Sequence, residues 1–507
     1  MSFKARTQSV NIPYIMAFFA ALVMGAAAAT GKPIFSVLVA GTLGGIVLVS
    51  QPVALLWALL SMTLVVAGIV LYFIPTLANI WWITYGMGAM LFVPAIMSGL
   101  SNDRTHLHPG LSPTVIAALI FLVSGLFSTF INRSPPWEVV LALKGILLFG
   151  GVWAALALLP ISKEVMKRWL IGFLIIGLIQ WLPAIYQYLF VRADRLVKGL
   201  GTIEASDSVV GTFGGAMDAG GLSPVLAAYL IMLMTVLLAL RRDGLLSTRK
   251  LLLALPFLFF PLLIMEVKVI VIYVPLCLFI LYKDLIWRRP VAFFSGATAA
   301  LMIMVGIIFA YQALHWSAAG SNIEKSLESM VSYSFVKRLD AENRAKGIMT
   351  RREVIDFWWE KHDLDEPVSM LLGHGLGASR TQGMGHGHIA AKYAPRVIDY
   401  TALALILWDT GLVGIVAVLA LIISAFRMAK RLSLSTRLDP WQKSLARGLH
   451  ALIPIFLVSI LYQGDIFYAA PMTFMLMTVL GLLAWLRNQE YSATVNNELA
   501  SGGPIRR

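Results

Sequence analysis

The stretch RVIDYTALALILWDTGLVGIVAVLALI, Arg396 to Ile422, carries the decision about what kind of protein this is. From Thr401 onward it is apolar for long enough to cross a bilayer, which takes about 20 residues. One acid, Asp409, interrupts it, some ten residues below Asp399 at its entrance. On insertion scales an unpaired carboxylate in such a segment costs roughly 2.5–3.5 kcal/mol. Asp409 therefore requires a partner or a watery cavity, whereas Asp399 can rest at the interface.

The same pattern extends in both directions. Hydrophobic residues make up 59% of the 507 and charged residues 13%, against about 25% charged in soluble domains. The missing polar surface is surface that faces lipid. Apolar runs between charged or Pro/Gly breaks predict spans near 12–30, 33–50, 53–74, 79–99, 113–131, 138–160, 169–190, 222–240, 251–265, 267–282, 291–311, 402–426, 448–463 and 470–486. The fold class is thus all-α, a polytopic membrane protein of about 12–14 helices. As a single helix, 251–282 would reach roughly 48 Å against a hydrocarbon core of about 30 Å, so a hairpin turning near MEVKV is expected. The first ten residues are polar and basic, and the run after them reads as a retained first helix. The single cysteine, Cys277, leaves no disulfide framework and no CxxC metal or redox motif.

A net charge of +14 raises the question of nucleic acid. With the N-terminus in the cytoplasm, however, the predicted inner loops collect about 22 Lys and Arg and the short outer loops about six, the asymmetry of the positive-inside rule. The charge is a topology signal, and nucleic acid is discounted. Four regions result: a transmembrane bundle over 1–311 with an outer loop near 191–221, a large periplasmic loop over 312–397, C-terminal spans over 398–487, and a disordered cytoplasmic tail over 488–507.

The large loop holds five of the eight His, with about eleven cations and about ten acids, a mixed and foldable surface. Within it TRREVIDFWWEKH sets Val354, Phe357 and Trp358 on one helical stripe, as in an amphipathic helix lying at the membrane surface. Next comes GHGLGASRTQGMGHGHIAAKY, Gly373 to Tyr393, directly above the Arg396–Ile422 stretch. Its glycines let backbone N–H groups approach a phosphate, and its His can act as bases near neutral pH. The plain alternative is a solvated loop. His374, His386 and His388 lack the ligand spacing of a strong zinc motif, and Arg380 and Lys392 suit an anion better than a metal. Glu266 and Lys268 mark the outer turn of the hairpin, either as a snorkelling pair or as a cation offered to a lipid pyrophosphate. In the other outer loop SDSVVGTFGGAMDAGG, with Ser208 and Gly211, feeds a helix start, a generic anion site. Lys144, inside a span, reads as a structural or snorkelling residue.

Taken in order, GTFGGAMDAGG before a span, the EVKV hairpin, a long outer loop, LLGHGLGASR and then LWDTGLVG resemble the O-antigen ligase and polymerase superfamily, over roughly Arg192 to Phe426. Members usually carry an Arg before the first turn, a Ser-Arg pair at the hairpin, and a His followed by Glu-x-Gly at the late span. Here Ser208 stands near the first position, Lys268 at the second, Asp399 or Tyr400 near the His, and Asp409 to Gly411 replace the Glu version. The resemblance implies a bacterial inner-membrane glycosyltransferase joining undecaprenyl-pyrophosphate-linked repeat units at the periplasmic face, with no metal, nucleotide or other cofactor. Its partners would be the bilayer, the lipid-linked donor and acceptor, and polysaccharide assembly proteins. Such chemistry needs a base, from His386, His388 or Asp399, and cations for the leaving pyrophosphate, from Lys268, Arg351, Arg352, Arg380 and Lys392. Glu266, Asp409, Ser208 and Gly211 would support them. A ligase transferring glycan to an acceptor lipid or protein, a polysaccharide transporter or flippase, and an inactive assembly scaffold are the alternatives.

Overall fold

The computed structural model describes residues 44–45, 48–100, 110–192, 208–214, 222–265, 267–291, 293–294, 298, 302, 305–306, 347, 349–362, 367–381 and 386–500. All regular structure among them is helical. Nine helices among the described residues are long and apolar enough to cross a membrane. These are α1 (Pro52–Phe73), α2 (Trp81–Leu100), α3 (Pro113–Asn132), α4 (Pro136–Leu158), α5 (Lys163–Val191) and α6 (Ser223–Arg242), then α12 (Ala402–Ser433), α13 (Pro440–Tyr462) and α15 (Ala470–Ala500). Between the two groups lie α7 (Thr248–Ile264), α8 (Ile270–Tyr282), α9 (Arg351–Lys361), α10 (Pro367–Leu372) and α11 (His388–Lys392), and α14 (Asp465–Tyr468) precedes α15. The expected spans at 12–30, 33–50 and 291–311 lie in large part or wholly outside the described residues, as does Glu266.

Most starts are written locally. Ser112, Ser162, Ser247 and Thr401 each accept a backbone N–H of the first turn of α3, α5, α7 and α12, and Asp439 does so for α13 in a reciprocal capping box with Gln442. The 251–282 region is a hairpin, with α7 ending at Ile264 and α8 starting at Ile270. α6, α13 and α15 form the middle of the bundle, and most of their side chains are buried by the outer helices.

The basic loops gather at one end. There Lys163 meets Asp439 at 2.7 Å, Arg242 meets Asp284, Arg447 meets Asp243, and Arg431 meets Glu490 at 2.8 Å. The last pair, with Arg437 donating to Thr494 at 2.7 Å, holds α15 helical through Ala500. The tail expected to be disordered from 488 is therefore helical that far, with Glu490 and Thr494 held by Arg431 and Arg437. The Gly/His segment lies at the opposite end, against the C-terminus of α3 and the N-termini of α4 and α12.

Candidate functional site

The polar segment is seated by a break in α12. Gly411 has φ +64°, a conformation that L side chains rarely adopt, and it interrupts the helix after Thr410. The carbonyls of Trp408 and Asp409 accept instead from His374 N–H at 2.8 Å and Gly375 N–H at 3.0 Å. α3 adds a second edge: Asn132 donates to Gly373 O at 3.1 Å, Ser134 to His374 O at 3.2 Å, and Thr129 Oγ1 accepts Leu376 N–H at 3.0 Å. The partner that Asp409 requires is then the segment itself. Its carboxylate accepts Gly377 N–H at 2.7 Å and Ser379 N–H at 2.9 Å, and it is buried.

The segment then returns, with Gly387 N–H donating to Arg380 O at 2.8 Å, and presents His388 to the start of α4. Glu138, 1% exposed, accepts His388 N–H through Oε1 at 2.9 Å and faces the ring Nδ1 through Oε2 at 2.8 Å. A carboxylate accepts, so Nδ1 carries a proton, and in the neutral imidazole Nε2 keeps its lone pair. The His388 side chain is 35% exposed, which leaves that nitrogen within reach of a ligand. This is the geometry of a general base held in one tautomer by a buried acid.

Arg380, from the same segment, reaches α4 one helical turn beyond Glu138. Its guanidinium donates to Leu141 O at 3.3 Å and stands 5.2 Å from the Tyr468 ring centre. Tyr468 donates to Asp399 at 2.6 Å, and Thr381 donates to the same carboxylate through its N–H at 3.0 Å and through its hydroxyl. With three donors on it and 2% exposure, Asp399 is an anchor that fixes Thr381 and Tyr468. Burial and the Asp399 charge push the Tyr468 phenol well above its ordinary pKa, so it remains a donor.

Arg380, Asp409 and Tyr468 line a cavity of about 30 Å³, whose wall includes Phe121, Ile146 and Phe467. The same three apolar residues also line a cavity of about 410 Å³ between α3 and α4. Leu111 and Leu119 on its wall are 69% and 46% exposed, which marks its side toward lipid. Phe121, Ile146 and Phe467 thus form a wall shared by a small polar cavity and a larger apolar one.

The other expected site residues are distributed as follows. His386 is exposed beside this cluster. Lys392 is exposed, with its ammonium 5.3 Å from the Tyr393 ring. Arg351 donates to Tyr462 O at 2.6 Å and stacks on the Tyr462 ring at 3.9 Å, tying α9 to the end of α13. Arg352 pairs with Asp356 one turn along α9 at 3.5 Å, in solvent. Lys268 sits in the α7–α8 turn at the same end of the bundle, since Tyr273 below it meets Ser459 on α13 at 2.7 Å. Ser208 and Gly211 belong to a different structure, a buried turn between α1, α5 and α6. Gln187 Oε1 accepts Val210 N–H at 2.9 Å and Gly211 N–H at 2.8 Å, and Gln180 accepts Thr212 N–H at 2.9 Å. Those N–H groups, expected to be open to an anion, are directed at glutamines because the turn is buried at membrane depth, where each backbone donor needs a protein partner.

The α9 stripe differs from its surface reading. Val354, Phe357 and Trp358 are buried, and the two aromatics join Ala378, Ile389, Ile398 and Trp408 in one apolar cluster. The stripe covers the polar segment rather than lipid. It also brings His362 to 3.0 Å from His374, Nε2 to Nε2, while His362 Nδ1 donates to Trp358 O at 2.8 Å. With both rings neutral, His374 is the donor between them. Burial first, then repulsion from His362 when that ring is also protonated, pull the His374 pKa down to about 4.

Sequence reasoning missed Glu138, His362, Thr381 and Tyr468. Only Glu138 leaves a trace there, as a lone acid entering a span after two prolines. Among the described residues no group of three or more His, Cys, Asp or Glu is arranged to hold a metal ion.

No protein-family model matches the chain, and no curated protein matches it. The class of protein these features define is a chain that is helical among its described residues, nine of whose helices there are long and apolar enough to span a membrane.

Proposed function

We propose that the protein is a membrane glycosyltransferase that joins glycan repeat units carried on a polyprenyl pyrophosphate, working at the end of the bundle opposite the basic loops. The observation that carries this reading is the union of three features: the His388–Glu138 pair, the Arg380 guanidinium one turn away, and an apolar cavity, open toward lipid, that shares the Phe121–Ile146–Phe467 wall with the space beside Arg380. A soluble phosphate ester has no use for the third feature, and an apolar lipid has none for the first two. A diphosphate on a long hydrocarbon uses all of them.

In the reaction the acceptor hydroxyl gives its proton to His388 Nε2 while its oxygen bonds to the donor sugar C1. The bond from C1 to the pyrophosphate oxygen breaks, and the electron pair leaves with the diphosphate. Arg380, a permanently charged planar donor, meets that growing charge. Glu138 holds the imidazole and stabilises the imidazolium that forms. Asp409 and Asp399 act on the segment rather than on the sugar, by fixing the backbone that presents Arg380 and His388.

The test is transfer from a purified polyprenyl-pyrophosphate oligosaccharide to a second copy, followed by chain length on a gel. The reading expects polymer from the native protein and a loss of about a hundred-fold or more in His388→Ala and in Arg380→Ala. Unchanged polymer in both variants would refute it.

A further inference from the structure

We propose that a second cavity, at the basic end of the bundle, is a binding site for one acyl chain of an anionic membrane phospholipid, with its phosphate on Lys167. This inference is independent of the glycan reaction. The cavity has a volume of about 350 Å³ and lies between α5, α13 and α15, with α6 as its floor. Its wall is mostly apolar, with Tyr229 and Thr478 on the inner side, and at the entrance Lys167 holds its ammonium 5.2 Å from the Trp441 ring. Leu445 and Tyr229 on the inner wall are 2% and 1% exposed, whereas Ile171 on the outer wall is 52% exposed. The slot is closed toward the bundle and open toward lipid.

Its dimensions select the occupant. Along α13 the wall runs from Trp441 to Leu452, which at 1.5 Å per residue is about 16 Å. That is about half of a 30 Å hydrocarbon core, the depth of a single leaflet. A volume of about 350 Å³ drawn out over that length makes an elongated slot that suits one extended hydrocarbon chain.

Charge selects the headgroup. Lys163, at the same helix start, is held by Asp439 at 2.7 Å. Lys167 lies one turn deeper, with its stem along the cavity mouth and its ammonium beside an indole, the arrangement that sits at the level of lipid phosphates. The leaflet next to the positive loops is also the one that carries anionic lipid in a cell membrane.

The experiment uses the full-length protein, delipidated in detergent, with dioleoyl phosphatidylglycerol or dioleoyl phosphatidylcholine added and bound lipid counted by native mass spectrometry. The native chain is expected to retain phosphatidylglycerol about five-fold better than phosphatidylcholine, the size of one cation's attraction for an anionic surface. Lys167→Met, which keeps the stem on Trp441, should erase that preference. Leu174→Trp, which fills the slot, should remove the adduct of either lipid, with an unchanged size-exclusion profile as the folding control. Equal retention of the two lipids by the native chain would overturn the headgroup assignment. An adduct that survives Leu174→Trp would overturn the site.

Discussion

His388 and Glu138, 250 positions apart in the chain, meet at 2.8 Å where the polar segment touches the first turn of α4. The pairing orients the only described imidazole that faces both a buried carboxylate and open space. Glu138→Gln keeps the shape and removes the charge that stabilises an imidazolium. Transfer is expected to fall by about ten- to a hundred-fold, less than the loss in His388→Ala, where the base itself is gone. Polymer yields per folded protein measure this, and Glu138→Gln at native yield would exclude the pair from the reaction.

Asp409 supports the segment rather than the chemistry. Removing its carboxylate orphans two buried N–H groups, those of Gly377 and Ser379, at roughly 1–3 kcal/mol each. Asp409→Ala should therefore lower the midpoint of thermal unfolding in detergent by several degrees, and Asp409→Asn, which keeps one acceptor, by less. An Asp409→Ala melting curve that overlays the native one would contradict this account.

The His362–His374 contact makes the cap over the segment sensitive to acid. An imidazole in the unfolded chain titrates near 6.5, while in the fold His374 titrates at about 4, chiefly through burial. Between these values the unfolded state binds more protons, so stability is complete above pH 6.5 and declines as the pH falls toward 4, by up to about 1.4 kcal/mol per pH unit. His374→Gln should flatten that decline. Unfolding midpoints measured from pH 7.5 to 4.5 in the two proteins provide the comparison.

Two glycines separate backbone need from helix propensity. A Cβ on Gly411 would press on the carbonyl of Leu371, and its φ of +64° is strained for any L side chain. Gly86, in α2, has nothing within 4 Å of an added Cβ. Gly411→Ala should cost about 1–3 kcal/mol and disturb the seating of the segment, while Gly86→Ala should be neutral or gain about 0.5–1 kcal/mol. Expression level and thermal midpoint of the two variants test the contrast.

Arg351 was expected to hold phosphate, yet it is engaged with Tyr462 through both a hydrogen bond and a stacked ring. Arg351→Ala should then reduce stability and leave transfer per folded molecule near the native value. A selective loss of transfer, with an unchanged melting midpoint, would return Arg351 to the site.

What the sequence determined by itself is the nine helices long and apolar enough to cross a membrane among the described residues and the turn between Ile264 and Ile270, where the expected spans 251–265 and 267–282 are shorter helices. Apolar run length, proline and glycine breaks, and Ser, Thr or Asp caps are local properties, and a helix needs no distant residue to complete its hydrogen bonds. Tertiary structure alone decided the site. It turned Phe357 and Trp358 from lipid onto the protein, gave Asp409 its backbone partners, directed the Ser208–Gly214 turn to Gln180 and Gln187, and chose Glu138 among the acids to face His388. The physical reason is that a polar group buried at membrane depth must find a donor or acceptor inside the protein, and that partner is whichever residue the packing of distant helices brings within about 3 Å.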